Sequence, residues 1–366
     1  MTSKILRWAF NAVLVPLVSV VSGFLVGAIA IVAAGADPVE AYTALFQGAF
    51  TNHNAFAETL VSTTPYVFLG LALALGFRAG LFNIGAEGQF YIGSLSGIFV
   101  AYSIHGLPAV VEIPVGLLAG MAGGAFWASI AGALKARFGA HEVITTIMLN
   151  YVSFLVASYL VDTPGLMLAP NVSTPRTPDA DAGAILPILL NGSRLHLGFI
   201  IALLAVPAVW FLIERTTIGF RLRAVGFNPG AARTAGISVG RTVVLTMALS
   251  GALAGLAGIV EVLGVNHHMT DTVAAGYGFD AIAVALLARS NPWGVLPAAL
   301  LFGALHNGAS FMQLQTQVSS DLISIVQAFV IIFVAAPSIV GWLFRLRRAA
   351  GETVAITQRG VDAPVS

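Results

Sequence analysis

The residues able to do chemistry sit at two places where glycine interrupts apolar sequence. At the first, Gly76 to Gln89, four glycines accompany Asn83, Glu87 and Gln89, and Pro65 precedes them in the same apolar run. The second is Gly276-Tyr277-Gly278-Phe279-Asp280, at the head of an apolar run only about 17 residues long, short for a bilayer crossing of ~20. Glycine breaks inside apolar runs mark discontinuous helices, whose freed backbone and polar side chains line a solute path. Asn83, Glu87, Gln89, Phe279 and Asp280 are therefore the candidate pathway residues. Amides, carboxylates and hydroxyls without a buried cluster of Lys or Arg suit a small neutral solute bearing hydroxyl groups. The alternative role for the polar members is to cap helix ends or bond freed backbone, and Glu87 can instead pair with Arg78.

Other chemistry is excluded. The chain has no cysteine, so thiolate nucleophiles, disulfides and zinc-thiolate sites are absent. Its only lysines, Lys4 and Lys135, lack a following Ser or Thr, so no Walker phosphate cradle exists and the chain cannot hydrolyse ATP alone. His267 and His268 beside Asp271 read as a loop pair rather than a metal site. Glu87, Glu261 and Asp280 do not assemble into a convergent catalytic set.

The elements that must position these residues are membrane spans. Of 366 residues, 58% are hydrophobic and 9% charged, against ~25% charged in soluble domains. Apolar runs lie at about 11–34, 60–77, 82–104, 108–133, 143–161, 196–213, 242–264, 272–288, 293–312 and 322–343. The chain reads as an all-α polytopic membrane protein of about ten transmembrane helices forming one domain over 1–366, its first run a signal anchor. With the N-terminus cytoplasmic, 15 of the 17 Lys and Arg fall in inner segments, and only Arg176 and Arg194 fall outside, in the Pro-rich stretch 162–195. The positive-inside rule then places both termini in the cytoplasm. A net charge of +1 gives no general attraction to nucleic acid, and the partner is membrane lipid. Gly116, Gly120 and Gly124, with Gly251 and Gly255, form small-residue ridges for close helix packing.

The inner segment 214–241 holds Arg215, Arg221, Arg223, Arg233 and Arg241 around Gly226-Phe227-Asn228-Pro229-Gly230-Ala231-Ala232-Arg233-Thr234-Ala235-Gly236. Asn228 suits an N-cap, Pro229 the first helical position and Gly236 the left-handed residue after the end. A seven-residue rod with an exposed Ala231 and Ala232 face suits a groove on another protein. Gly226, Asn228, Ala231, Ala232, Arg233 and Gly236 are the candidate docking residues.

With these residues in view the chain resembles the permease subunits of bacterial ABC importers in the branched-chain amino acid, ribose and simple-sugar superfamily, over nearly its whole length. Phe77 to Gln89, Gly278 to Leu287 and Asn291-Pro292-Trp293-Gly294-Val295 are similar to the nucleoside or simple-sugar branch. Asn228, Ala231, Ala232 and Gly236 resemble that family's coupling-helix motif, here without its glutamate. The resemblance implies a ten-helix ABC importer permease fold with two related halves and broken helices, a location in the bacterial inner membrane, and no cofactor in this chain. It also implies a second, non-identical permease subunit, a cytoplasmic ATP-binding subunit carrying ATP and Mg, and an external substrate-binding lipoprotein. The competing reading from another class is a stand-alone secondary carrier or channel for a neutral polar solute.

Overall fold

The computed structural model describes residues 18, 20–270, 273, 276–319 and 321–335. Lys4, Arg7, Asp271, the Arg345 to Arg348 cluster, Arg359 and most of the N-terminal anchor lie outside the described residues. The described chain runs α1 (Val20–Ala33), α2 (Pro38–Phe50), α3 (His53–Arg78), α4 (Ala86–Ser103), α5 (Ala109–Phe138), α6 (Glu142–Asp162), α7 (Gly198–Arg215), α8 (Thr217–Phe227), α9 (Pro229–Thr234), α10 (Val239–Glu261), α11 (Tyr277–Leu287), α12 (Pro292–Thr316) and α13 (Asp321–Ala335). α10 runs on through a π-turn, Val262–Asn266. Among the described residues six helices are long and apolar enough to cross a bilayer: α3, α5, α6, α7, α10 with its π-turn, and α12. Runs 1, 3, 8 and 10 of the ten correspond to α1, α4, α11 and α13.

Besides α9, which the capping pattern predicts, two helices lie outside those runs. α2 begins with Asp37, whose carboxylate accepts from the Val39 amide, followed by Pro38 at the first position. α8 begins with Thr216, whose hydroxyl accepts from the Gly219 amide at 3.1 Å, and it buries Leu222 and Val225 while Arg221 stays exposed. Both are too short to stand out as spans, yet each carries ordinary capping chemistry.

α3 is buried along almost its whole length at the centre of the bundle. α4, α5 and α10 cross beside it where glycines face one another. A Cβ placed on Gly93 would overlap the Gly255 backbone, one on Gly124 the Gly251 carbonyl, and one on Gly255 the Gly120 carbonyl. The two predicted glycine ridges therefore pack directly on each other, where lipid supplies no hydrophobic drive between helices.

The helix ends sort by charge. The end of α3, the α5–α6 junction, α8 and α9, and the α11–α12 junction meet at one end. There Arg78 pairs with Glu214 at 3.5 Å, Glu214 also pairs with Arg223, and Lys135 pairs with Glu142 at 2.6 Å. At the other end the helix-free stretch between α6 and α7 straps the bundle through main-chain bonds: Asp181 N to Ala101 O at 3.0 Å, Thr177 N to Met269 O at 2.9 Å and Leu186 N to Leu263 O at 3.0 Å. Arg194 joins it to Glu58 of α3 at 2.5 Å.

His196 closes that strap. Its ring is fully buried, and its Nδ1 accepts from the Gly198 amide at 3.1 Å, which requires the neutral ring with its proton on Nε2. Burial, with His267 nearby, pushes its pKa down to about 4 from 6.5. Because the folded-state value is the lower one, the unfolded chain takes up the proton first as pH falls. Stability is full above pH ~6.5 and declines down to pH ~4, by about 3 kcal/mol in all. Thermal unfolding of the purified protein across that range should show the decline, and His196→Gln should flatten it.

Candidate functional site

α4 and α11 both begin in the interior. Eleven residues raise α11 by about 16 Å, so its first turn stands about half a hydrocarbon core, ~30 Å thick, from the arginine-bearing Arg289 turn. Tyr66, twelve residues before Arg78 on α3, lies at about 18 Å by the same rise, and its hydroxyl donates to Asp280 Oδ2 at 2.9 Å. The two counts agree on a mid-depth site.

Each of these interior starts has a glycine N-cap, Gly85 and Gly276, which has no side chain to cap with. The missing acceptors come from other helices. Asn150 of α6 accepts from the Gly88 amide at 2.9 Å and donates to Ile84 O at 2.9 Å, which caps α4. Glu87 of α4 accepts from the Gly276 amide at 2.9 Å and from the Gly278 amide, which caps α11 with a carboxylate at the positive end of its dipole. The pairing of Glu87 with Arg78 does not form. Arg78 turns toward Glu214 and donates from Nε to Ser290 O at 3.0 Å, because the segment after Gly80 carries Glu87 into the interior and leaves Arg78 at the bundle end.

Asn83 and Gln89 exchange two hydrogen bonds, each 2.9 Å, and Asn83 also donates to Ser250 Oγ at 2.9 Å. Ser250 in turn donates to Ala72 O at 2.8 Å. Asn83, Glu87 and Gln89 are all buried, whereas Phe279 is 43% exposed and Asp280 partly exposed on the open face of α11. The structure thus brings the predicted residues into one neighbourhood but divides them between an interior frame and an open face.

Sequence reasoning missed three residues there. Tyr277 Oη lies 3.4 Å from His306 Nε2, and the rings of Tyr66 and Tyr277 meet edge to face at 5.0 Å. A tyrosine directly after Pro65, and the polar pair His306-Asn307 within apolar α12, were the available signals. Asn307 bonds the main chain at Gly48 and Ala55 and the Thr59 hydroxyl, joining α2, α3 and α12 as a core residue. Among the described residues no three His, Cys, Asp or Glu side chains gather into a metal site.

α9 follows the predicted caps closely. Asn228 Oδ1 accepts from the Ala231 amide at 3.0 Å, Pro229 opens the helix, and Gly236 has φ +80° with Ile237 N bonded to Ala232 O at 2.9 Å. One expectation is corrected. Ala232 is only 3% exposed, because α9 turns that side onto its neighbours, whereas residues 227–231 and 233–236 are exposed. Phe227 is 90% exposed, an apolar ring held out in water beside the capped turn.

The family model described as branched-chain amino acid transport system / permease component matches residues 55–335. The chain belongs to this permease family. It is 41% identical over 327 residues to the guanosine ABC transporter permease protein NupP of Bacillus subtilis, covering 88% of this chain and 93% of that one. It is 36% identical over 361 residues, 96% of this chain and 98% of the relative, to the nucleoside ABC transporter permease protein NupB of Lactococcus lactis subsp. cremoris. The glucose ABC transporter permease protein TsgB13 of Haloferax volcanii is 36% identical over 359 residues, 95% and 92% of the two chains. A second guanosine permease protein of Bacillus subtilis, NupQ, is 27% identical over 253 residues, 67% and 78% of the two chains. No solved structure matches the chain. The chain is thus a multi-pass membrane permease subunit.

Proposed function

We infer that this permease is the membrane subunit of an ATP-driven importer for nucleosides or simple sugars in the bacterial inner membrane. Similarity along nearly the whole length of nucleoside permease proteins carries the reading. It works with a second, non-identical permease, as the two guanosine permease proteins of Bacillus subtilis favour, with a cytoplasmic ATP-binding subunit holding ATP and Mg, and with an external binding lipoprotein. The arginine-bearing end faces the cytoplasm, where the positive-inside rule puts it, and both termini lie on that side.

The solute passes the face of α11 that exposes Phe279 and Asp280, between this subunit and the second permease. A carboxylate partly open at mid-bilayer depth is costly against lipid and suits a watery path between subunits. Asn83, Glu87 and Gln89 frame that path by fixing where α4 and α11 begin. On the cytoplasmic side Phe227 and the α9 surface of Ala231 and Arg233, held by Gly226, Asn228 and Gly236, seat in the ATP-binding subunit. Closure of the ATPase then moves the arm and exchanges which side of the path is open.

Reconstitution with the partner subunits and the lipoprotein tests the reading. Labelled guanosine should accumulate only with ATP, whereas uptake by this chain alone without ATP would favour the stand-alone carrier. Phe227→Asp separates docking from folding. The ring is exposed, so stability should stay within about 0.5 kcal/mol, while loss of an apolar anchor should weaken ATPase association by roughly 10-fold or more. Normal association would remove Phe227 from the interface.

A further inference from the structure

One stretch of chain grips α11 at both ends. At mid-depth the Glu87 carboxylate accepts from the Gly276 and Gly278 amides, and at the far end Arg78 Nε donates to Ser290 O, in the turn that closes α11. Residues 78–87 therefore form a strap, and its elbow is Gly80, at φ +69°. That elbow lies on the backbone of Gly226, next to last in α8. A Cβ on Gly80 would stand 3.2 Å from Gly226 Cα, and one on Gly226 would stand 2.8 Å from Ala79 C and 3.0 Å from Ala79 Cα. Glu214 reinforces the junction by pairing with Arg78 of the strap and Arg223 of α8 together.

We propose that the Gly80–Gly226 contact is the joint through which the α8–α9 arm drives α11, with Arg78 and Glu87 as positioning residues that pass the displacement to its two ends. This rests on the reading that the arm docks on the ATPase. Main chain lies against main chain here, with no intervening side chain whose rotamer change would absorb a shift of the arm. The strap is ten residues long and is pinned within its length by the bonds of Asn83 to Gln89 and Ser250, which leave it little freedom to yield by itself. Its two grips lie at opposite ends of an eleven-residue helix, so any displacement of the strap displaces the Phe279 and Asp280 face. The competing route runs from α8 directly into α10 and bypasses the Gly80–Gly226 contact, so it would be indifferent to crowding there.

The absence of cysteine in this chain makes a single introduced thiol readable without background once the labelled subunit is separated from its partners. In the complete transporter, Phe279→Cys supplies one reporter on α11, and its rate of modification by a water-soluble maleimide is measured with and without ATP plus vanadate. The rate should change at least ~5-fold, the low end of ordinary coupling factors. Adding Gly80→Ala, which crowds the same contact from the strap side and lies outside the docking surface, should cancel that change while ATPase association and hydrolysis persist. A parent with no nucleotide response, or a response that survives Gly80→Ala, overturns the joint. Should Gly80→Ala fail to assemble, Arg78→Ala decides the matter by the same criterion. Uptake by the unsubstituted complex is measured alongside. Its absence overturns the transport reading, whereas normal uptake with a response indifferent to these substitutions overturns the joint alone.

Discussion

Glu87→Ala is expected to abolish transport and to lower the stability of the purified permease by about 3 kcal/mol, since it strands two interior N–H groups at roughly 1–3 kcal/mol each. The Gly276 and Gly278 amides have no alternative acceptor in their own helix, because the first turn of any helix leaves its donors unpaired and Gly276 brings no side chain. The carboxylate lies away from the open face of α11 and is only 3% exposed, so water does not readily replace it. Glu87→Gln keeps one carbonyl acceptor for the two amides that use separate carboxylate oxygens and loses the charge that faces the α11 dipole, so it should give up about 2 kcal/mol and retain part of the uptake. Thermal unfolding in detergent together with ATP-driven uptake makes the measurement. An alanine variant with an unchanged unfolding temperature would show that α11 starts without this carboxylate.

The second large effect is steric. Gly255→Ala should destabilise the bundle by about 3 kcal/mol, the upper part of the range for overpacked sites. The added carbon meets the Gly120 carbonyl and the Gly124 Cα, which are backbone and cannot rotate aside. The crossing can only open, and with it the contact of α10 with both α4 and α5. Gly240→Ala on the same helix is the control. Its Cβ would find the Ala136 methyl at 3.5 Å, an ordinary contact, and the change should be neutral or stabilise by up to about 1 kcal/mol through helix propensity. Yield and unfolding temperature of the two variants should diverge sharply. Equal behaviour would mean that the three helices do not meet at those glycines.

Local signals were legible wherever cause and effect lie within one helical turn. The Asn228, Pro229 and Gly236 pattern placed α9 because a cap, a first residue and a left-handed terminator act on main chain three or four residues away. The apolar runs placed the long helices, and the glycines near Gly80 and Gly276 marked where α4 and α11 begin. The basic residues of the described chain other than Arg176 and Arg194 gathered at one end, as their spacing along the runs predicted. α2 and α8 were missed although Asp37 and Thr216 are sound caps, because both helices are shorter than a span and sit between apolar runs.

Tertiary structure alone decided the partners. Glu87 meets Gly276 and Gly278 from 189 and 191 residues away, and Asn83 finds Ser250 at a separation of 167, distances at which composition says nothing about direction. A carboxylate beside a glycine-broken run has two natural partners, the nearby Arg78 or a remote helix start. Only the path of residues 79–85 into the interior selects the second. The facing of Ala232 was equally open, since a one-turn helix with small residues on every side carries no apolar stripe to orient it. The amino-acid order by itself determined the helices, their breaks and the side on which charge collects, because those follow from main-chain bonding and burial within a turn or two. Which broken end is capped by which side chain, and which glycine lies on which, followed from packing, because those contacts exist only after the chain has closed loops of 62 to 191 residues.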